Sequence, residues 1–144
     1  MDVIYKKLDV ADAVLALTLN RAFRPGFVTE QGAYDFLKDG RNWLFAALLD
    51  GKIIAFAYGY ELKRLDGGKT LYIHEVGVAQ PYQKKGVGTG LICALKRACR
   101  ERGVAKFFLW TDQANAGANA LYRKTGGELG VDSHGKDRVY WFTP

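Results

Sequence analysis

A glycine-rich segment with basic residues is the part of this sequence best suited to bind a ligand. It runs from Gln83 to Gly90 and reads QKKGVGTG. Glycines let a backbone approach a ligand closely. The first N–H groups of a following helix lack intrahelical partners and lie at the positive end of its dipole, which favours a phosphate. Because Lys84 and Lys85 add positive charge, the segment predicts a site for a phosphorylated small molecule.

The same segment differs from two common nucleotide-binding motifs. It lacks the Gly-Lys-Ser/Thr ending of a P-loop, which disfavours nucleoside triphosphate hydrolysis. It also lacks a G-x-G-x-x-G pattern followed by an acidic residue about twenty positions on, which disfavours a dinucleotide site. A purely structural turn before a helix remains an alternative for the motif taken alone.

Two residues near this segment are candidates for proton transfer. Glu75 lies in the apolar run before the glycines, where burial would raise the pKa of a carboxyl group toward the range of a useful base. A salt-bridged or half-exposed strand residue is the alternative. His74 alternates with Glu75 and is predicted to face the other side of the strand. Tyr122 follows Asn115 by about two helical turns, so the two share a face, and its hydroxyl could donate a proton. A plain core tyrosine is the alternative.

The pattern of apolar residues indicates the elements that position these side chains. Strands are predicted at 3–8, 42–49, 52–62, 70–78, 106–111, 128–131 and 138–142, and helices at 10–23, 29–37, 87–102 and 114–124. Asp50-Gly51 predicts a hairpin turn. The helix at 87–102 is predicted to connect parallel strands. The fold class is therefore α/β, with a mixed sheet of six to seven strands flanked by about four helices on both faces.

Length and composition indicate one domain over residues 1–144, with the 49% apolar and 25% charged residues of an ordinary globular protein. No run of 18 apolar residues and no signal-like start is present, so we expect a cytoplasmic protein with no membrane span. Cys93 and Cys99 are predicted to be buried thiols, since six helical residues rise roughly 9 Å, too far for a disulfide. No ligand cluster predicts a metal site.

The formal net charge of +6 has two possible explanations, nucleic-acid binding and an anionic ligand. The basic residues are scattered and form no dense or aromatic-interleaved tract, which argues against a nucleic-acid partner. The lysines of the glycine-rich segment account for part of the excess.

Two segments together resemble the GNAT acyl-CoA N-acyltransferases. QKKGVG at 83–88 is similar to their Gln/Arg-x-x-Gly-x-Gly/Ala signature, and NAGANALY at 115–122 is similar to their Asn-x-x-Ala-x-x-Leu-Tyr segment. The predicted order of elements also fits, so the resemblance covers nearly the whole chain. It departs at Gly127, where many members have an aromatic residue. The resemblance implies the GNAT fold and acetyl-CoA as the cosubstrate.

The resemblance also implies roles for individual residues. The pyrophosphate would lie on backbone N–H groups at 84–89, and the pantetheine arm would follow the strand at Gly77, which a close approach would explain. Asn115 would contact that arm or fix the helix that carries Tyr122. The implied cofactor-binding set is Val76, Gly77, Val78, Gln83, Lys84, Lys85, Gly86, Val87, Gly88, Thr89 and Asn115.

The implied reaction is direct attack of an amine on the thioester. Glu75 would act as general base, directly or through a water, because a protonated amine has no lone pair to attack with. A backbone N–H near Val76 would stabilise the oxyanion, and Tyr122 would protonate the leaving thiolate as general acid.

A second, narrower resemblance concerns the acceptor. YIHEVGV at 72–78 resembles the aminoglycoside 3-N-acetyltransferases of the gentamicin-modifying type, which carry an acidic residue at the position of Glu75 and confer antibiotic resistance. A polycationic acceptor would need an acidic pocket, and the candidates, each alternatively a solvated surface charge, are Glu30, Asp35, Asp112, Asp132 and Asp137. The alternatives are acetylation of a small polyamine, a protein N-terminus or a lysine, and a non-catalytic acyl-CoA-binding module. GNAT relatives are often dimers, so a homodimer is possible.

Overall fold

The computed structural model describes all 144 residues. Its strands are β1 Ile4–Lys7, β2 Asn42–Leu49, β3 Lys52–Lys63, β4 Lys69–Val78, β5 Lys106–Asp112, β6 Glu128–Leu129 and β7 Asp137–Phe142. Its α-helices are α1 Ala13–Ala16, α2 Leu19–Ala22, α3 Glu30–Leu37, α4 Val87–Glu101 and α5 Ala116–Lys124, with 3₁₀ turns at Val10–Asp12 and Gln80–Tyr82.

These strands form one seven-stranded sheet in the order β1-β2-β3-β4-β5-β7-β6. Only β4 and β5 run parallel, and α4 connects them, as predicted. The Asp50-Gly51 hairpin is also confirmed: both residues have positive φ, 51° and 76°, as a mirror-image turn requires. The predicted mixed α/β class is confirmed.

Helices cover the sheet on both faces. On the face that we call the α4 face, α4 and Tyr122 of α5 pack against buried residues such as Trp43 and Phe107. On the opposite face, which we call the α3 face, α1, α2 and α3 pack against residues such as Leu44 and Phe56. Two separate apolar layers therefore hold the central strands.

The single helix predicted at 10–23 is wrong, because the segment forms a 3₁₀ turn followed by α1 and α2. Asp9 caps the first turn by accepting a hydrogen bond from the N–H of Ala11. The hydroxyl of Thr18 donates to the carbonyl of Leu15, a local bond of the kind that competes with helix geometry. The broken path leaves Val14, an apolar residue within the predicted helix, exposed.

Three smaller expectations also need correction. The last helix begins at Ala116 rather than 114, because Asn115 is its N-cap. The strand predicted at 128–131 extends only over Glu128–Leu129. Cys93 is exposed, whereas Cys99 is buried as predicted, because only Cys99 lies on the sheet-facing side of α4.

The pairing of β4 with β5 ends before β4 does. The two strands pair from Thr70 with Lys106 to Ile73 with Leu109, after which β4 continues to Val78 without a β5 partner. The strands separate at this point, and an opening forms between the second half of β4 and α5. No helix has the length and apolar character needed to cross a membrane.

Candidate active site

A cavity of about 520 Å³ occupies the opening between β4 and α5. The segment before α4, the start of α4 and one side of α5 complete its walls. It is lined by Val76, Gly77, Val78, Gln83, Lys84, Gly86, Gly88, Thr89, Asn115, Gly117, Ala118, Ala120, Leu121, Tyr122 and Lys124. The structure therefore brings the predicted cofactor-binding residues together, except that Lys85 and Val87 do not line the cavity. Val87 is instead buried in the core.

One end of the cavity is suited to an anion. Gly86 is the N-cap of α4 with φ of +83° and provides no side-chain cap, so the N–H groups that open the helix are available to a ligand. Lys84 precedes it, also with positive φ, at 59°. The Gln83 side chain donates to the carbonyl of Val78 at 3.0 Å and ties this segment to β4. Phosphate groups fit this donor set because it combines free amides, a helix dipole and a lysine.

Asn115 begins the helix that forms the opposite wall. Its Oδ1 accepts a hydrogen bond from the N–H of Ala118 at 3.0 Å, as an N-cap does. The resemblance implied that Asn115 contacts the pantetheine arm or fixes the helix that carries Tyr122. The structure shows the second role, because Asn115 caps that helix.

Tyr122 lies deep in the cavity and is 5% exposed. Its ring packs against Tyr140, at 5.5 Å between centroids, and meets Phe142 edge-on. Burial, followed by the effect of Tyr140, raises the pKa of Tyr122 to about 12. The hydroxyl therefore stays protonated at neutral pH and is available as a proton donor.

Asn119 supports this wall and has no role in the sequence predictions. Its buried amide donates to the carbonyls of Asp112 and Asn115, and its Oδ1 accepts a hydrogen bond from the hydroxyl of Tyr140 at 2.6 Å. These bonds join α5 to the end of β5 and to β7. The available signal was a polar residue three positions before Tyr122 on an otherwise alanine-rich helix.

A β-bulge sets the orientation of Glu75. The β3–β4 register shifts so that Tyr58 pairs with Glu75 while Gly59 pairs with Ile73, leaving His74 as an extra residue. Because of the extra residue, successive side chains do not alternate between the two faces of the sheet here. His74 and Glu75 both lie on the α3 face, where the His74 ring is 5.3 Å from the Tyr58 ring. The prediction that they face opposite sides is therefore wrong. Bulges re-aim side chains in this way beside active sites.

The Glu75 carboxylate is held by an arginine. It accepts hydrogen bonds from both terminal nitrogens of Arg24, at 2.7 and 2.9 Å. The side chains are 29% exposed for Glu75 and 51% for Arg24. The alternative reading of Glu75, a salt-bridged and partly exposed residue, thus describes its surroundings. The bonds to Glu75 raise the pKa of Arg24. Sequence reasoning assigns no role to Arg24, because Pro25 and Gly26 after it indicate only the end of a helix.

Packing gives Gly77 a reason to be glycine besides the predicted close approach of a ligand. A Cβ at this position would come within 2.7 Å of the Phe56 ring and 3.0 Å of the Phe23 ring. Packing on the α3 face therefore excludes a side chain here, while the backbone of Gly77 still lines the cavity.

A second cavity, of about 320 Å³, lies under α3 on the same face as Glu75. Phe27, Phe36, Tyr58 and Tyr60 form much of its wall, and no charged side chain lines it. Tyr58 also pairs with Glu75, so this cavity and the carboxylate adjoin.

None of the five acidic residues predicted to bind the acceptor lines either cavity. Glu30 and Asp35 are exposed on α3, where Asp35 pairs with Lys38. Asp112 accepts from the N–H of Ala114 at the end of β5, and Asp132 and Asp137 lie at the β6–β7 connection. Across the chain, no three His, Cys, Asp or Glu side chains gather into a possible metal site.

Comparisons with known proteins agree with this geometry. A family model described as the acetyltransferase (GNAT) family matches residues 13–127. The aminoglycoside acetyltransferase meta-AAC0020, from an uncultured soil metagenomic sample and solved in complex with sisomicin, is 23% identical, with 92% of this chain and 95% of that chain covered and a TM-score of 0.79.

Two further structures share the fold. The PaiA N-acetyltransferase from Thermoplasma acidophilum, in complex with coenzyme A, is 14% identical over 100% of both chains, with a TM-score of 0.69. The ribosomal-protein-alanine N-acetyltransferase from Brucella melitensis biovar Abortus 2308 is 22% identical over 92% of this chain and 97% of that chain, with a TM-score of 0.68. No curated protein matches the sequence. Since the family match spans most of the chain, the protein belongs to the acetyltransferase (GNAT) family and is an acetyl-CoA-dependent N-acetyltransferase.

Proposed function

We propose that this enzyme acetylates a primary amine by direct attack on acetyl-CoA, with Glu75 as general base and Tyr122 as general acid. The observation that carries the proposal is the opening beside β4. Its α4-face cavity runs from the free N–H groups at Gly86 to the Tyr122 hydroxyl, while Glu75 lies on the α3 face of the same strand. The thioester and the amine would thus meet at the unpaired edge of β4.

Acetyl-CoA supplies the acyl group, and the chain provides orientation for it. Lys84 and the N–H groups at the start of α4 would hold the pyrophosphate, and the backbone of β4 from Val76 to Val78 would align the pantetheine arm. This part of β4 has no β5 partner, because the pairing of the two strands ends at Ile73. Orientation of this kind can contribute a large part of the rate enhancement of an enzyme.

Proton transfer would occur on opposite faces of β4. A lysine-like amine has a pKa of about 10.4, so it must lose a proton before it attacks. Glu75 would accept that proton, directly or through a water. Tyr122, kept protonated by its burial, would donate a proton to the thiolate as it leaves. An N–H at or near Val76 would stabilise the negative charge on the acetyl oxygen.

We propose an aminoglycoside, acetylated at its 3-amino group, as the first acceptor class to test. Support comes from the Glu75 segment and from similar structures of aminoglycoside acetyltransferases. Because the five predicted acidic residues lie outside the cavities, Glu75 is the carboxylate that such a substrate would meet.

The apolar cavity under α3 favours a second acceptor class, an amine attached to an apolar group, as at a protein N-terminus. Its aromatic wall adjoins Glu75 and carries no charge, so it suits an apolar side chain better than a polycation. Burial of apolar surface would provide the binding energy there.

A matched acceptor panel tests these proposals. The enzyme is incubated with acetyl-CoA and sisomicin, kanamycin, spermidine, phenethylamine or short peptides that begin with Ala, and the products are identified by mass spectrometry together with free CoA release. A mass increase of one acetyl group at the 3-amino position supports the first acceptor class. Turnover confined to phenethylamine or the peptides overturns it in favour of the second. Full turnover by Glu75→Gln would overturn the role of the base.

A further inference from the structure

The proposed mechanism brings the acceptor amine to the Glu75 carboxylate, and Arg24 is already bound there. Its guanidinium donates two hydrogen bonds to the Glu75 carboxylate, at 2.7 and 2.9 Å. The guanidinium carbon also lies 3.7 Å from the centre of the Phe27 ring, and Phe27 lines the apolar cavity. A positive group therefore already neutralises the carboxylate that the proposed mechanism uses as base.

The ion pair between Arg24 and Glu75 is suited to replacement of the guanidinium by another cation. Both side chains are partly exposed, and exposed ion pairs are weak and screened by salt. Arg24 lies in the connection from Phe23 to Thr29, outside any helix or strand, and Gly26 there has φ of +74°. The Phe27 face gives the guanidinium a second contact, a cation–π interaction, that does not depend on Glu75.

We propose that Arg24 is an internal substitute for the acceptor's ammonium group, which displaces it from Glu75 on binding. The inference rests on the proposed function, because it assumes that the acceptor binds at Glu75. It makes Arg24 a positioning residue with two effects. It competes with the acceptor for the carboxylate, and in the free enzyme its two hydrogen bonds hold that carboxylate in place.

Few other groups face Glu75. Tyr58 of β3 lies opposite it in the ladder, His74 precedes it in β4, and Arg24 approaches from the connection between α2 and α3. Burial, followed by the effect of Glu75, raises the pKa of Tyr58, so its hydroxyl stays neutral around pH 7. Arg24 is consequently the charge to vary in a test.

The test compares Arg24→Gln and Arg24→Lys with the control Arg21→Gln, which changes an exposed arginine at the end of α2. The readouts are the KM and kcat for an acceptor found active in the panel, together with the Kd of CoA. We expect Arg24→Gln to lower acceptor KM about threefold or more, because the ammonium group of the acceptor no longer competes with a guanidinium for Glu75. Arg24→Lys should lie between Arg24→Gln and the wild type, since a lysine makes a single-point pair. Arg21→Gln should leave every readout unchanged.

Two results would overturn the inference. An unchanged KM in Arg24→Gln would show that the ion pair does not compete with the acceptor. A tenfold rise in KM would show that Arg24 contacts the acceptor instead of yielding to it. The proposed function is tested separately. Full turnover by Glu75→Gln would show that Glu75 is not the base, whatever the effect of the Arg24 variants. If Glu75→Gln is inactive and Arg24→Gln behaves as wild type, only the role of Arg24 is wrong.

Discussion

Two buried tyrosines lie side by side at the active site but face different partners. Tyr122 lines the cavity, and no protein group hydrogen-bonds its hydroxyl. Tyr140 is fully buried, and its hydroxyl donates to Asn119. The first hydroxyl is therefore free for chemistry, whereas the second is used to hold α5 against the sheet.

These surroundings predict opposite effects for the same substitution. Tyr122→Phe should lower kcat by about 10² to 10⁴, the usual contribution of a general acid, because it removes the proposed proton donor. The Kd of acetyl-CoA, measured by calorimetry, should change by less than about threefold, since the ring and its packing remain. Wild-type kcat in this variant would remove Tyr122 from the mechanism.

Tyr140→Phe is the matched control. It leaves the Oδ1 of buried Asn119 without its hydrogen bond, which should lower the free energy of unfolding by about 1–3 kcal/mol. Below the melting transition its kcat should equal that of the wild type. Urea denaturation and steady-state kinetics on the same preparation distinguish the two variants, and a large loss of kcat in the control would place Tyr140 in the chemistry as well.

At the scale of elements, the start of α4 combines a backbone requirement with a binding function. Gly86 has φ of +83°, and the N–H groups after it face the cavity. Gly103 follows the other end of the same helix with a similar φ, 71°, but it does not line the cavity. The two glycines carry the same conformational cost, and only one of them is at the proposed phosphate site.

This pairing predicts which substitution affects the ligand. Gly86→Ala and Gly103→Ala should each lower the free energy of unfolding by about 1–2 kcal/mol, the cost of a left-handed conformation for an L-residue. Only Gly86→Ala should weaken CoA binding, by about tenfold or more, because strain is relieved by moving the N–H groups. Equal Kd values for CoA in the two variants would contradict a role for this helix start in phosphate binding.

Sequence patterns predicted the elements whose signals are local. The periodic apolar residues of α4 and the Asp50-Gly51 turn each carry their own conformational preference, and both are confirmed. The bulge at His74 was missed because the β3–β4 register depends on contacts between strands rather than on either strand alone. For the same reason the partnership of Arg24 with Glu75, 51 residues apart, had no signal in the sequence.

At the scale of the whole molecule, the sheet separates two environments with different chemistry. The α4 face holds buried groups that resist ionisation, Tyr122 and Cys99, whereas the α3 face holds the exposed Glu75–Arg24 pair. Burial raises the pKa of the Cys99 thiol to about 12, and it raises the pKa values of Tyr5 and Tyr58 as well. Because these groups hold their protons to higher pH in the folded state, folding stability depends on pH in the alkaline range.

The sign of this linkage follows from the unfolded chain. An unfolded cysteine loses its proton near pH 8.5 and a tyrosine near about 10, while the buried groups keep theirs. Between about pH 9 and 12 the unfolded state therefore binds fewer protons, so the free energy of unfolding falls as pH rises, by up to about 1.4 kcal/mol per pH unit for each group. These groups make their full contribution to the free energy of unfolding below pH 8. That contribution is lost as the pH rises toward the folded pKa of about 12.

Cys99→Ala should therefore flatten the decline that begins near pH 9, leaving the tyrosine part above pH 10. Its stability at pH 7 should be lower than that of the wild type because a buried sulfur is removed, so the slopes rather than the absolute values are compared. Cys93→Ala is the control: its side chain is exposed on the same helix, and its slope should match the wild type. Urea denaturation at half-unit steps from pH 7 to 10.5 measures all three, and a Cys99→Ala slope equal to the wild type would show that ionisation of this thiol does not oppose folding.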